Sequence, residues 1–134
     1  MTPEQALRAY CDAFAAHDAE RVIAVFAPGA LYELPLVRPR MVGAVEMRAG
    51  LARAFAVMTA CTITLAHVHE TGSTALAEGT MAVRLAREPG RASLPFALAG
   101  VVDGGRLRRL SVYLDARPYR PWSDGPVLAL DSAP

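Results

Sequence analysis

The sequence predicts an α+β domain: a curved antiparallel sheet coiled into a cone, with three N-terminal helices in front of it enclosing an apolar pocket. Three observations predict this class. The first half carries apolar residues at spacings of three and four, while the second half carries Thr, Val, Ile and Leu at a period of two. Turns rich in Gly cut that second half into strands that are long for a globular protein. Long antiparallel strands twist and coil, so helices laid against them leave a hollow.

Each element has a local cause. Thr2-Pro3-Glu4-Gln5 is a helix start, with a capping hydroxyl, Pro at the first helical position and Gln placed for a capping box. Leu7, Tyr10, Cys11, Phe14 and Ala15 then form one apolar stripe. His17-Asp18 breaks it, and Asp18 caps a shorter helix carrying Val22, Ile23, Val25 and Phe26, which Pro28-Gly29 ends. Ala30 to Leu34 reads as a short strand, followed by an irregular loop through Pro35, Pro39 and Gly43. A third helix runs from about Ala44 to Met58, with Leu51, Phe55 and Met58 as its stripe. Four strands follow, at about Cys61 to His69, Thr74 to Ala86, Ala92 to Val102 and Arg106 to Leu114. Three hairpins join them, at Thr71-Gly72-Ser73, Glu88-Pro89-Gly90 and Asp103-Gly104-Gly105. The tail, 116–134, reads as a lid or a partly disordered end, leaving 1–115 as a single domain.

Composition bounds the function. With 134 residues and 53% hydrophobic content the chain builds one core and not two. Fourteen Arg, no Lys and 13 acids give a formal charge of +1, and the Arg are scattered rather than clustered. No nucleic acid partner is expected, since a binding footprint needs a concentrated basic face. Cys11 and Cys61 lack a CxxC spacing and read as buried thiols in a reducing compartment, so a cytoplasmic protein is expected. With no apolar run long enough to span a bilayer and no export signal in view, no membrane partner is expected either.

Four segments carry a resemblance: Tyr10-Cys11-Asp12-Ala13-Phe14-Ala15-Ala16-His17-Asp18, Val25-Phe26-Ala27-Pro28-Gly29-Ala30, Asp103-Gly104-Gly105-Arg106-Leu107, and Tyr113-Leu114-Asp115. With the element order they resemble the nuclear transport factor 2-like superfamily, from Leu7 to Trp122. Within it the chain looks like the polyketide-cyclase-like (SnoaL-like) group, related to limonene epoxide hydrolase and ketosteroid isomerase. The resemblance implies a pocket for a hydrophobic small molecule, cofactor-free chemistry and a homodimer formed through the sheet. It does not hand over a catalytic set. The first-helix Tyr of ketosteroid isomerase falls on Tyr10, but its general-base Asp falls on Leu34 and its oxyanion-hole Asp on Leu98. The Tyr of limonene epoxide hydrolase that helps hold the attacking water falls on Tyr32, its Asn on Leu34, and its Asp-Arg-Asp set near Ala82, Thr80 and Val112. The register this implies, with the alternation of strand side chains, turns Tyr32, Leu34, Ile63, His67, His69, Glu78, Thr80, Leu94, Phe96, Leu98, Leu110, Val112 and Leu114 toward the pocket.

Four residues are therefore candidate catalytic groups. Glu78 places a carboxylate in mid-strand; in an apolar hollow its pKa rises and suits acid-base work, whereas on the outer face it pairs with an Arg such as Arg84. Tyr32 and Tyr10 donate to a developing oxyanion or epoxide oxygen, or else are core aromatics with satisfied hydroxyls. His67 shares a face with His69, but nothing in the sequence completes a ligand set, so no metal is expected. Phe14, Leu34, Phe55, Ile63, Thr80, Phe96, Leu98, Leu110, Val112 and Leu114 are the expected substrate-binding wall. Asp115 caps the turn into the tail or holds Arg117, with catalysis as the other reading, and Glu33 faces away from the pocket. The function expected is a cofactor-free cyclase, isomerase or epoxide-opening enzyme acting on a hydrophobic natural-product intermediate; the alternative is a non-catalytic binding protein of the same fold.

Overall fold

The computed structural model describes residues 1–37, 39–86 and 90–114. The tail 116–134, Asp115 and the Glu88-Pro89 part of one turn lie outside the described residues. Three helices and six strands alternate in the order α1 (Pro3–Ala15), α2 (Ala19–Ala24), β1 (Phe26–Glu33), β2 (Arg40–Val42), α3 (Gly43–Val57), β3 (Met58–Thr71), β4 (Thr74–Leu85), β5 (Arg91–Asp103) and β6 (Arg106–Leu114). The strands form one curled sheet in the order β2-β1-β6-β5-β4-β3.

Helix starts follow the sequence. Thr2 and Gln5 close the capping box, and the Asp18 carboxylate accepts from the Arg21 N–H at 3.1 Å. Helix α1 buries Leu7, Tyr10, Cys11 and Phe14 against the sheet. It approaches closely because Gly100 is bare: a Cβ there would meet Leu7 Cδ2 at 2.8 Å.

Three features differ from the expected plan. Strand β1 starts at Phe26 rather than Ala30, because the Leu107 N–H donates to the Val25 carbonyl at 2.9 Å and Phe26 takes Leu107 as its partner. Pro28 and Gly29 sit in the resulting register shift inside β1, where a missing N–H and a φ of +73° are tolerated. The expected loop contains a short strand, β2, antiparallel to β1. The sheet is also not wholly antiparallel, since β1 runs parallel to β6. That parallel pair puts the Tyr32 strand beside the last hairpin and closes one side of the hollow.

Candidate functional site

A cavity of about 430 Å³ lies between the inner face of the sheet and helices α1 and α3. Its wall is almost wholly apolar. Tyr10 on α1 and Tyr32 on β1 reach it from different elements, and their hydroxyls meet at 2.5 Å, only 4% and 3% of each residue being exposed. Ring packing fixes the pair: Phe26 stacks on Tyr32 at 5.3 Å, and Tyr10 stands edge-on to both, at 6.4 Å and 5.6 Å. Burial, the leading cause in each case, drives both phenols well above their usual pKa, so both are neutral hydrogen-bonding groups at physiological pH. Cys11 also lines the cavity, and burial pushes its thiol up to about 12, which removes it as a nucleophile.

Most of the expected wall is in place. Phe14, Leu34, Ile63, Phe96, Leu98, Val112 and Leu114 line the cavity with the two tyrosines. Three expected wall residues do not, Thr80 on the outer face among them. Leu110 is fully buried in the core, and Phe55 on α3 packs its ring on Phe14 at 5.1 Å and on His17 at 4.7 Å.

Glu78, Thr80 and His67 are corrected to the outer face of the sheet, where all three are exposed. On β4 the buried positions are Ala75, Ala77, Met81, Val83 and Leu85, so Glu78 and Thr80 belong to the opposite set, with Arg84. The register carried over from the epoxide hydrolase resemblance is off by one residue on this strand. Its inward positions are Gly79, Met81 and Val83 instead of Thr80 and Ala82, and they too hold no carboxylate. On β3 the cause is a bulge. Leu65 pairs with Gly79 and His67 with Glu78, so Ala66 is an extra residue and the inward set switches from odd to even numbers. Hence Ile63 and Leu65 are half-buried while His67 and His69 face outward. Among the described residues no group of three or more His, Cys, Asp or Glu gathers as a metal site requires. Glu33 faces away from the cavity as alternation expects, accepting from Arg109 Nη2 and Ser111 Oγ at 3.0 Å each.

Several wall residues were not singled out from the sequence: Met41, Gly50, Arg53, Ala54 and Met81 among them. Gly50, Arg53, Ala54 and Val57 share one face of α3 by helical spacing, and Met81 follows from the alternation of β4. Gly50 lies hard against the Met41 thioether, so a side chain there would displace it.

A family model described as the SnoaL-like domain matches residues 7–110. The chain belongs to the SnoaL-like domain family. Its fold recurs in a Catenulispora acidiphila protein with a ketosteroid isomerase-like fold, solved in complex with trimethylamine (TM-score 0.81, 19% identity, 100% of each chain covered). It recurs in a putative SnoaL-like polyketide cyclase from Shewanella denitrificans (TM-score 0.76, 16% identity, 86% of this chain and 91% of that one). A limonene epoxide hydrolase-like enzyme from M. tuberculosis is similar as well (TM-score 0.69, 22% identity, 84% and 81%). No curated protein matches by sequence. At these identities the likeness is one of fold, and the chemistry of this SnoaL-like domain rests on its own wall. Among its described residues that wall holds two neutral phenols, a protonated thiol and one Arg, with no carboxylate or imidazole. Nor is any helix among them long and apolar enough to cross a membrane.

Proposed function

We propose that this protein binds a hydrophobic, oxygen-bearing small molecule of the natural-product kind, seated with one oxygen against the Tyr10–Tyr32 pair. The observation that carries the reading is a hydroxyl pair buried in the wall of an otherwise apolar cavity. Two phenols sharing one hydrogen bond use one O–H between them, and the other is free to donate. That donor is polarised by its partner and sits where water competes poorly. It suits a carbonyl, epoxide or enolate oxygen.

The same wall restricts catalysis. None of its described residues takes a proton near neutrality, and Glu78 and His67 on the outer face have no route to a ligand in the cavity. A catalytic reading is supported by the free donor alone: cofactor-free ring closure or epoxide opening in which the substrate supplies its own nucleophile. Here Tyr10 and Tyr32 stabilise charge developing on oxygen, and the cavity holds the reactive conformation. A homodimer belongs to the proposal too. Leu76 and Tyr113 on the outer face are 53% and 41% exposed, and Ala97 and Ala99 lie on the strand between theirs, an apolar patch that a second copy would cover.

Titration with 2-acetylnaphthalene and 2-ethylnaphthalene tests the ligand reading. The ketone is expected to bind about five- to tenfold tighter, the worth of one hydrogen bond, and a Tyr10→Phe/Tyr32→Phe double variant to erase that preference. Equal affinities for the two compounds in the unmodified protein would remove the tyrosines from ligand recognition.

A further inference from the structure

Arg53 is the one charged residue on the cavity wall among the described residues. The hydroxyl pair and the Cys11 thiol are held neutral by burial, so no negative charge among the described wall residues opposes it. It stands at the mouth. Arg53 and Ala56 on α3, with Pro39 on the facing loop, are wall residues that are also exposed, whereas Tyr10, Tyr32 and Leu98 are buried at the inner end. Arg8, Arg48 and Arg109 each hold a carboxylate, at 3.0, 2.8 and 3.0 Å. Arg53 holds none among the described residues.

A guanidinium at the rim of a greasy cavity selects a particular shape of ligand. Its planar fork hydrogen-bonds two oxygens of one anion, while its stem extends the apolar wall. We propose that Arg53 anchors the acidic group of the ligand, so that the cavity takes a hydrophobic organic acid, its anionic oxygens at the mouth and its apolar body inside. This rests on reading the cavity as a ligand site, and it narrows that reading from oxygen-bearing molecules to anions. A ligand with a second, uncharged oxygen satisfies both ends, with the anion on Arg53 and a carbonyl on the tyrosine pair.

The test uses two dyes of nearly one shape, 1-anilinonaphthalene-8-sulfonate and its uncharged parent N-phenyl-1-naphthylamine, titrated by fluorescence into the unmodified protein, Arg53→Gln and Arg53→Lys. The sulfonate is expected to bind more tightly than the parent, and to weaken on adding salt. Arg53→Gln should cost the sulfonate about fivefold and the parent less than about twofold, with Arg53→Lys in between. Arg53 is exposed and makes no ion pair among the described residues, so the variants should keep the parent fold, which binding of the neutral dye reports directly. If both dyes bind and Arg53→Gln leaves the sulfonate unchanged, or weakens both dyes alike, the anion assignment is overturned and the cavity reading survives. If neither dye binds the unmodified protein, the cavity reading falls and this inference with it.

Discussion

Replacing the hydroxyl pair tests the site through folding alone, before any ligand is known. Tyr10 and Tyr32 are nearly inaccessible and joined at 2.5 Å, and each ring is held by aromatic neighbours that a Phe would keep. Changing either to Phe deletes the shared hydrogen bond and strands the remaining hydroxyl in an apolar wall. Each single change should therefore cost about 1–2 kcal/mol. The double change removes the stranded group as well, so it should cost about as much as one single change, leaving a coupling energy of about 1–2 kcal/mol. Urea denaturation of the four proteins measures this, provided the slope against denaturant stays constant across the set. Costs that add to within about 0.3 kcal/mol would show that the two hydroxyls do not depend on each other, and the shared-donor argument would fail.

Three further outcomes follow from the same geometry. Cys11 should impose an alkaline limit on stability. Its thiol is raised from 9.0 to about 12 by burial, so above pH 9 the unfolded chain gives up that proton while the folded one keeps it. Stability is intact below pH 9 and should then fall by about 1.4 kcal/mol per pH unit from this group, a slope missing from Cys11→Ala when urea midpoints are compared between pH 8.5 and 10. Glu78→Gln should change the affinity for 2-acetylnaphthalene less than about twofold and stability by less than about 0.5 kcal/mol, because the side chain stands on the outer face; a larger loss of binding would return it to the site. Gly79→Ala should destabilise by about 2–4 kcal/mol in the same denaturation assay, since its Cβ would strike the Thr64 carbonyl and meet the Phe96 ring at 2.9 Å, and a neutral result would mean the strands part there easily.

How far the fold was legible follows from where its signals are local. Caps at Thr2 and Asp18, the stripe of α1, and the Gly turns at 72 and 104 are written in neighbouring residues, and the elements they bound form where expected. Strand β2 and the parallel pairing of β1 with β6 were not visible in this way. A three-residue strand has no period, and the pairing joins Tyr32 to Leu110 across most of the chain. Long-range partners leave no mark on local spacing.

The site failed in a more instructive way, because part of the answer was present. Ala75, Ala77, Met81, Val83 and Leu85 alternate with Glu78, Thr80 and Arg84, so β4 states its own inner face, and Glu78 and Thr80 point inward only in a relative's register. Strand β3 gives no such statement. Its apolar positions change parity at Ala66, and a bulge adds one residue without any required side chain of its own. What marks the place is across the ladder: Gly79, opposite Leu65, lies too close to the Thr64 carbonyl and the Phe96 ring to carry a Cβ. A glycine in the middle of a strand was thus the trace of the bulge, and the bulge decides that His67 faces outward. Two strands, β4 through its register and β3 through its bulge, take Glu78 and His67 out of this cavity, while Asp115 lies outside the described residues. The donors that remain, Tyr10 and Tyr32, come from the stripe of α1 and from the end of β1 beyond its register shift.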